Sequence, residues 1–319
     1  MRVGDTPHSH SAQIFYTLPT VPQGMSWTFE PVAGPFGFTE GPVFDGHGIV
    51  FSDMPNDTIR YFDPETGTTE VMYDDTNAAN GLKLASGGEL FACEMNGRRV
   101  SRYANGSASV VCETYTGSRF NSPNDLAIDD RGVIWFTDPF YDTPWEPADK
   151  RLELSHRSVY RVDPNRPSTL TRVTFDTTNP NGLLVTPDRT ALYVAQSDYD
   201  GAQALRRYPI DPDGELGDVE VLYDFGDHRG IDGMCFTEDG SIVATAGSTD
   251  SGPGPSVYVF SPDGAVVETH PSPDPLPTNC CFGGPNLETL YLTGSDGYLY
   301  RAMTDRTGLL GTPDGGPVR

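Results

Sequence analysis

Six times along this chain an acid or amide stands immediately before a short apolar run, which passes through an Asp, Gly or Pro turn into a second apolar run. The strings are EGPVFDGHGIVFSD from Glu40, NGLKLASGGELFACE from Asn80, NDLAIDDRGVIWFTD from Asn124, NGLLVTPDRTALYVAQS from Asn181, DGMCFTEDGSIVATA from Asp232 and NCCFGGPNLETLYLT from Asn279. The leading polar residues are 40, 44, 57, 51 and 47 positions apart, the period of four-stranded propeller blades. Six repeats predict an all-β chain folded as a six-bladed β-propeller. Within each repeat the β-branched and aromatic residues suit a pleated sheet and the turn residues suit a hairpin. No segment carries a sustained helical apolar period.

A continuous array of repeats makes one closed domain the better reading of 319 residues. Residues 1–25, rich in Pro, Ser and Thr, are expected to form an N-terminal arm, residues 26–304 a single propeller, and residues 305–319 a C-terminal tail. Ser26 to Val32 alternates as a strand and is available to complete the last blade.

The formal charge of -24 and the lack of a basic stripe exclude general binding to a phosphate backbone, so no nucleic-acid partner is expected. No stretch approaches the ~20 apolar residues that cross a bilayer, and the start MRVGDTPHSHSAQ lacks a secretory pattern. The expectation is a cytoplasmic protein with no membrane partner, a monomer or weak homo-oligomer. Lys83 and Lys150 are the only lysines among 21 basic residues, which fits a high-GC genome. The five cysteines are odd in number and show no paired metal-knuckle spacing. They read as reduced, mostly buried thiols; a strained Cys280–Cys281 vicinal disulfide is the alternative.

If each leading residue begins the innermost strand of its blade, six polar side chains meet at one mouth of a central channel. A single Asn-Gly or Asp-Gly pair usually makes only a turn. The same position in every repeat makes a ring. Crowding carboxylates and amides on one axis is costly unless something positive binds them. A divalent cation meets that demand, and without convergent His or Cys calcium is favoured over zinc, with manganese and magnesium also open. The prediction is therefore a propeller with a central channel metal site.

EGPVF, the run from Arg119 to Leu126, PNGL, IDGMCF and TNCCFGG with LYLT resemble, in order and spacing, the SMP-30/gluconolactonase/luciferin-regenerating-enzyme family from about residue 37 to 303. The resemblance implies a six-bladed propeller with a divalent metal, commonly calcium, in the channel mouth, and hydrolysis of sugar lactones. It implies Glu40, Asn181 and Asp232 as metal ligands, with Asn124 contacting the metal directly or through water and also reaching substrate. In regucalcin-like members an arginine lies just before the Asn-Asp pair, whereas here Ser122 and Pro123 do. Arg119, further upstream, is then either a substrate contact or a loop residue.

Lactone hydrolysis needs a polarised carbonyl, a nucleophilic water and a route for its proton. Asp232 is the candidate general base, or a ligand with no proton role. Asn124 and Asn80 would orient the ring hydroxyls or the carbonyl, and Asp125 would support Asn124 or cap its own turn. Asp138 and Tyr141 could reach the pocket rim. The excursion from Phe140 to His156 reads as a lid carrying Tyr141 and Trp145, or as aromatics packed under their own loop. Glu94 is either a pocket acid or a paired turn acid. His228 reads as a surface-loop histidine, and the calcium-loop look of Asp211 to Glu220 fails because Leu216 replaces the required glycine. A phosphotriesterase-like hydrolase on the same metal propeller and a non-enzymatic calcium-binding scaffold remain the alternatives, since fold alone does not give function.

Overall fold

A computed structural model describes residues 26–145 and 151–310. The expected arm, residues 1–25, and positions 311–319 of the expected tail lie outside the described residues. Six four-stranded antiparallel sheets surround a channel, five of them running in chain order from the axis outward. The innermost strands are Thr39–Phe44, Ala79–Leu84, Leu126–Ile128, Pro180–Val185, Ile231–Phe236 and Pro277–Gly283. The sixth sheet is completed by Glu30–Ala33, which pairs antiparallel with Leu299–Met303. This tie closes the ring, so its blades leave no open sheet edge between first and last. The helical element among the described residues is a single 3-10 turn, Met54–Asn56, and no described helix is long and apolar enough to cross a membrane.

The apolar core sits between blades. Leu82, Leu126, Leu183, Met234 and Cys280, each on an inner strand, are fully buried. They pack with second-strand residues such as Val50, Phe136, Val194 and Leu292. The next residue along each strand lies on its other face. Val43, Lys83, Ala127, Leu184, Cys235 and Cys281 are among the residues lining a cavity of about 510 Å³ at the end of the channel away from the leading polar residues. Alternation along a strand separates Cys280 from Cys281: they enter different interblade cores, and all five thiols are free. The vicinal disulfide is not formed.

Two local features aim the leading residues inward. In five blades the inner strand has a register shift at the leading position, between Glu40 and Val43, Ala79 and Leu82, Pro180 and Leu183, Ile231 and Met234, and Pro277 and Cys280. Such bulges add a residue and redirect a side chain. Glycine follows the leading residue in four blades because neighbouring inner strands touch there. A Cβ on Gly41 would strike the Asn80 carbonyl, one on Gly182 the Asp232 carbonyl, and one on Gly233 the Asn279 side chain. The Gly81 N–H donates to the Asn124 carbonyl at 2.7 Å, linking the second and third blades.

Hydroxyls reinforce these seams. Ser52 Oγ donates to the Asn80 carbonyl at 2.7 Å, Thr245 Oγ1 to the Thr278 carbonyl at 2.8 Å, and Thr278 Oγ1 to the Thr39 carbonyl at 2.8 Å. Ser197 Oγ donates to the Ile231 carbonyl. The Asp211 to Glu215 segment is a closed turn, with Asp211 Oδ1 accepting from the N–H groups of Asp213 and Glu215 at 2.9 Å.

Gly182→Ala should therefore lower the unfolding free energy by about 1–3 kcal/mol, since the seam must open to admit a methyl group. Gly87→Ala is the control: nothing lies within 4 Å of its Cβ position, and the change should stay within about 0.5 kcal/mol. Urea unfolding of the two variants checks the contrast.

Candidate functional site

The inner strands bring Glu40, Asn80, Asn124, Asn181, Asp232 and Asn279 to one end of the channel, each buried to more than nine-tenths. Glu40 accepts from the Gly41 N–H at 2.8 Å and from the Asn279 amide. Asp232 is held by the Asn181 amide and by an ion pair with Arg229. Asn181 Nδ2 also donates to Tyr141 Oη at 3.2 Å, and Tyr141 Oη donates to the Ser197 carbonyl at 3.0 Å. Asp125 Oδ1 accepts from the Leu126 N–H at 2.8 Å, while its Oδ2 is buried without a hydrogen-bond partner.

Three carboxylates therefore share this end of the channel, and their electrostatics show the strain. Burial, then the Asp232 and Asp125 charges, push the Glu40 pKa well up. Burial pushes Asp232 up to about 6 against the pull of Arg229. Burial also raises Asp125, opposed by the Lys83 ammonium from the next ring down the channel. Arg229 and Lys83 are the cations that act on these carboxylates. The Asn80 and Asn124 amides, 4% and 6% exposed, make no hydrogen bond to the described residues. Their polar atoms are not among the sealed, partnerless ones; they open on the channel and are free to bond whatever enters it.

The donor set at the ring is carboxylate and amide oxygen. Among the described residues no group of three or more His, Cys, Asp and Glu side chains is arranged to hold a metal. Glu40, Asn181, Asp232 and Asn124 supply two carboxylates and two amides, and Asp125 adds negative charge beside them that Lys83 compensates only in part. That donor chemistry fits a hard divalent cation.

Other sequence-derived candidates have different employment. Glu94 is fully buried and paired with Arg99 Nε at 2.6 Å and Tyr103 Oη at 2.7 Å, which makes it a structural ion pair and not a pocket acid. Asp138 is equally buried, accepting from the Asn121 and Ser122 N–H groups at 2.9 and 2.8 Å. It braces the loop that delivers Asn124. Asp53 does the same in the first blade, accepting from the Gly37 N–H and Arg60. Acids that end second strands are thus loop clamps. Arg119 is exposed on a two-residue hairpin strand, its guanidinium donating to the Gly97 carbonyl at 2.5 Å; the geometry does not bring it to the ring.

Tyr141 does reach the ring. Trp145 does not share its position: it packs on Phe38 with ring centroids 5.2 Å apart, and its carbonyl accepts from Asn96. Phe140 to Trp145 therefore bridges from the fourth blade toward the first and second. Residues 146–150 of the expected lid lie outside the described residues. His228 is exposed, and its neighbour Arg229, which sequence reasoning passed over, is the residue that turns in. Its signal was an arginine three positions before Asp232, a reach suited to an ion pair. A larger cleft of about 1160 Å³ lies on the outer edge between the first and sixth blades, lined by Phe44, Tyr61 and Tyr291, away from this chemistry.

The family model described as SMP-30/Gluconolactonase/LRE-like region matches residues 38–296. A gluconolactonase of Zymomonas mobilis is 29% identical over 85% of this chain and 80% of its own length. A pentonolactonase of Haloferax volcanii is 30% identical over 81% of this chain and 82% of its own. The solved structure of a Xanthomonas campestris gluconolactonase superposes with a TM-score of 0.76 at 32% identity, covering 87% of this chain and 89% of that one.

Asp138→Asn should cost about 1–3 kcal/mol of stability, because one of two buried N–H groups loses its acceptor. Calorimetric titration with calcium should leave the affinity of the folded variant within a factor of about three, since loop bracing and ion binding reside in different side chains.

Proposed function

From the premise that the chain belongs to the SMP-30/gluconolactonase/LRE-like family, we propose that it is a metal-dependent hydrolase that opens sugar lactones. The observation that carries this reading is the pairing, at one channel mouth, of buried carboxylates with the Asn80 and Asn124 amides, which open on the channel and bond no described residue. Carboxylates suit a cation and a proton transfer; free amides suit a polyhydroxylated ring. The lactonase names of its relatives in Zymomonas, Haloferax and Xanthomonas support the same substrate class.

Glu40, Asn181, Asp232 and Asn124 would hold one divalent ion, calcium being favoured and zinc, manganese or magnesium being the alternatives. Bound there, the ion supplies Lewis-acid polarisation of the lactone carbonyl. The remaining work belongs to the chain. Asn124 and Asn80 orient the ring by hydrogen bonds to carbonyl or hydroxyl oxygens. Asp232 accepts the proton of the attacking water on its carboxylate and returns it to the departing ring oxygen, so the C–O bond breaks to give the hydroxy acid. Arg229, on Asp232 Oδ2, fixes the plane of that carboxylate. Tyr141 fixes the Asn181 amide.

Hydrolysis of glucono-1,5-lactone, followed with a pH indicator and corrected for spontaneous opening, tests the reading. Chelator-stripped protein should be inactive and regain turnover with one of the four ions. Asp232→Asn should lower kcat by about 10²–10⁴. Absence of turnover with every ion, despite tight ion binding, would overturn the proposal in favour of a binding role.

A further inference from the structure

A cleft of about 490 Å³ opens between the fourth and fifth blades and reaches Arg229, the ion-pair partner of Asp232. Its outer wall is Tyr199, 66% exposed on the turn from Asp198 to Ala202. That turn is pinned by its own backbone: Gly201 N–H donates to the Asp198 carbonyl at 3.0 Å and Asp198 N–H to the Ala202 carbonyl at 3.2 Å. The ring stands edge-on to Tyr141, centroids 5.9 Å apart and planes at 72°, and its hydroxyl interacts with the Arg229 guanidinium. One aromatic face is thus held in solvent beside the residue that orients Asp232.

Carboxylates outnumber basic groups on this cleft, whose lining also holds the exposed His228. Asp200, Asp227 and Asp250 line it, all three exposed and none ion-paired among the described residues. Arg229 faces it from below, with its guanidinium already engaged by Asp232 and by the Gly247 and Pro277 carbonyls. An anion entering here meets three unpaired carboxylates and no free guanidinium.

We infer that this cleft is the subsite for the exocyclic, neutral polyol end of the lactone, with Tyr199 as the face on which it packs and the three aspartates as a filter against phosphorylated or sulfonated sugar lactones. The inference rests on the lactonase reading. It also rests on the unpartnered Asn80 and Asn124 amides, which place the lactone ring at the adjoining channel mouth. Apolar C–H faces of sugars pack on aromatic rings, and like-charge placement discriminates without adding affinity for the favoured ligand. Exposed charges act through solvent, so the filter weakens as salt screens them.

The test measures kcat/KM for glucono-1,5-lactone and its 6-phosphate, together with calorimetric binding of the two corresponding non-hydrolysable lactams. The wild-type protein should prefer the neutral compound by about tenfold at low ionic strength and by about twofold in ~0.5 M salt. D200N/D227N/D250N should lose most of that preference, kcat/KM for the 6-phosphate rising toward the value the same variant shows with the neutral lactone. Tyr199→Ala should raise KM about tenfold with kcat within about twofold, and Tyr199→Phe should restore KM if the ring face is what matters. Equal handling of both compounds by the wild-type protein, or a preference insensitive to salt and to the three substitutions, would overturn the inference while leaving the lactonase reading intact. A protein that opens neither lactone but separates the lactams in this way would sustain the cleft assignment and sink the lactonase reading. Failure to bind either lactam would sink the cleft assignment too.

Discussion

Backbone contact between neighbouring inner strands is the constraint on which the rest of this molecule depends. Where Gly41 meets Asn80 and Gly182 meets Asp232, main chain lies against main chain with no room for a methyl group. That approach narrows the channel mouth and forces the side chain preceding each glycine to be the one that projects inward. The bulges beside Glu40, Asn80, Asn181, Asp232 and Asn279 follow from the same demand. Seam hydroxyls such as Ser52 and Thr278 then satisfy carbonyls that the tight approach would leave without partners. Packing and site geometry are one problem solved at one place.

The electrostatics follow from that geometry. Three carboxylates are brought within mutual influence in a buried setting, and the protein compensates them only in part, with Arg229 on Asp232 and Lys83 acting on Asp125 from below. Burying charge without full compensation opposes folding. Such a deficit of positive charge is what a site for a cation requires, and the two amides next to it are free to bond whatever enters the channel. Fourth and fifth blades contribute Asn181, Arg229, Asp232 and the Tyr199 turn, while the first three contribute Glu40, Asn80, Asn124 and Asp125 together with clamps that keep loops in place.

The fold was legible because its period is carried by residues that the backbone needs: polar residue, glycine, apolar strand, turn. The ring was legible for the same reason, since Glu40, Asn181 and Asp232 occupy equivalent positions in their repeats. Local strings failed where a residue's role depends on what lies across the molecule. Glu94 and Asp138 end second strands in strings that resemble the polar ends of the inner strands, yet each spends its oxygens on nearby structural partners. Arg119 had the right chemistry beside the right motif, but its hairpin faces outward. Arg229 was missed because its one signal in GDHRGIDG, an arginine three positions before Asp232, stands beside an equally polar histidine. Only the turn into the inner strand decides which of the two points to the axis.

The ring is locked by Glu30–Ala33 against Leu299–Met303, with Arg301 and Glu30, 271 positions apart, joined in an ion pair at the seam. Every other blade is made from a contiguous stretch of chain and can assemble as it is synthesised. The closing blade cannot, since its outermost strand is made first and must wait for almost all the remaining sequence. Until then the early strand has an unpaired edge, and the channel mouth, shared by first and last blades through Glu40 and Asn279, has no fixed shape. The site at the axis is therefore closed only by a contact between two segments that lie at opposite ends of the propeller sequence.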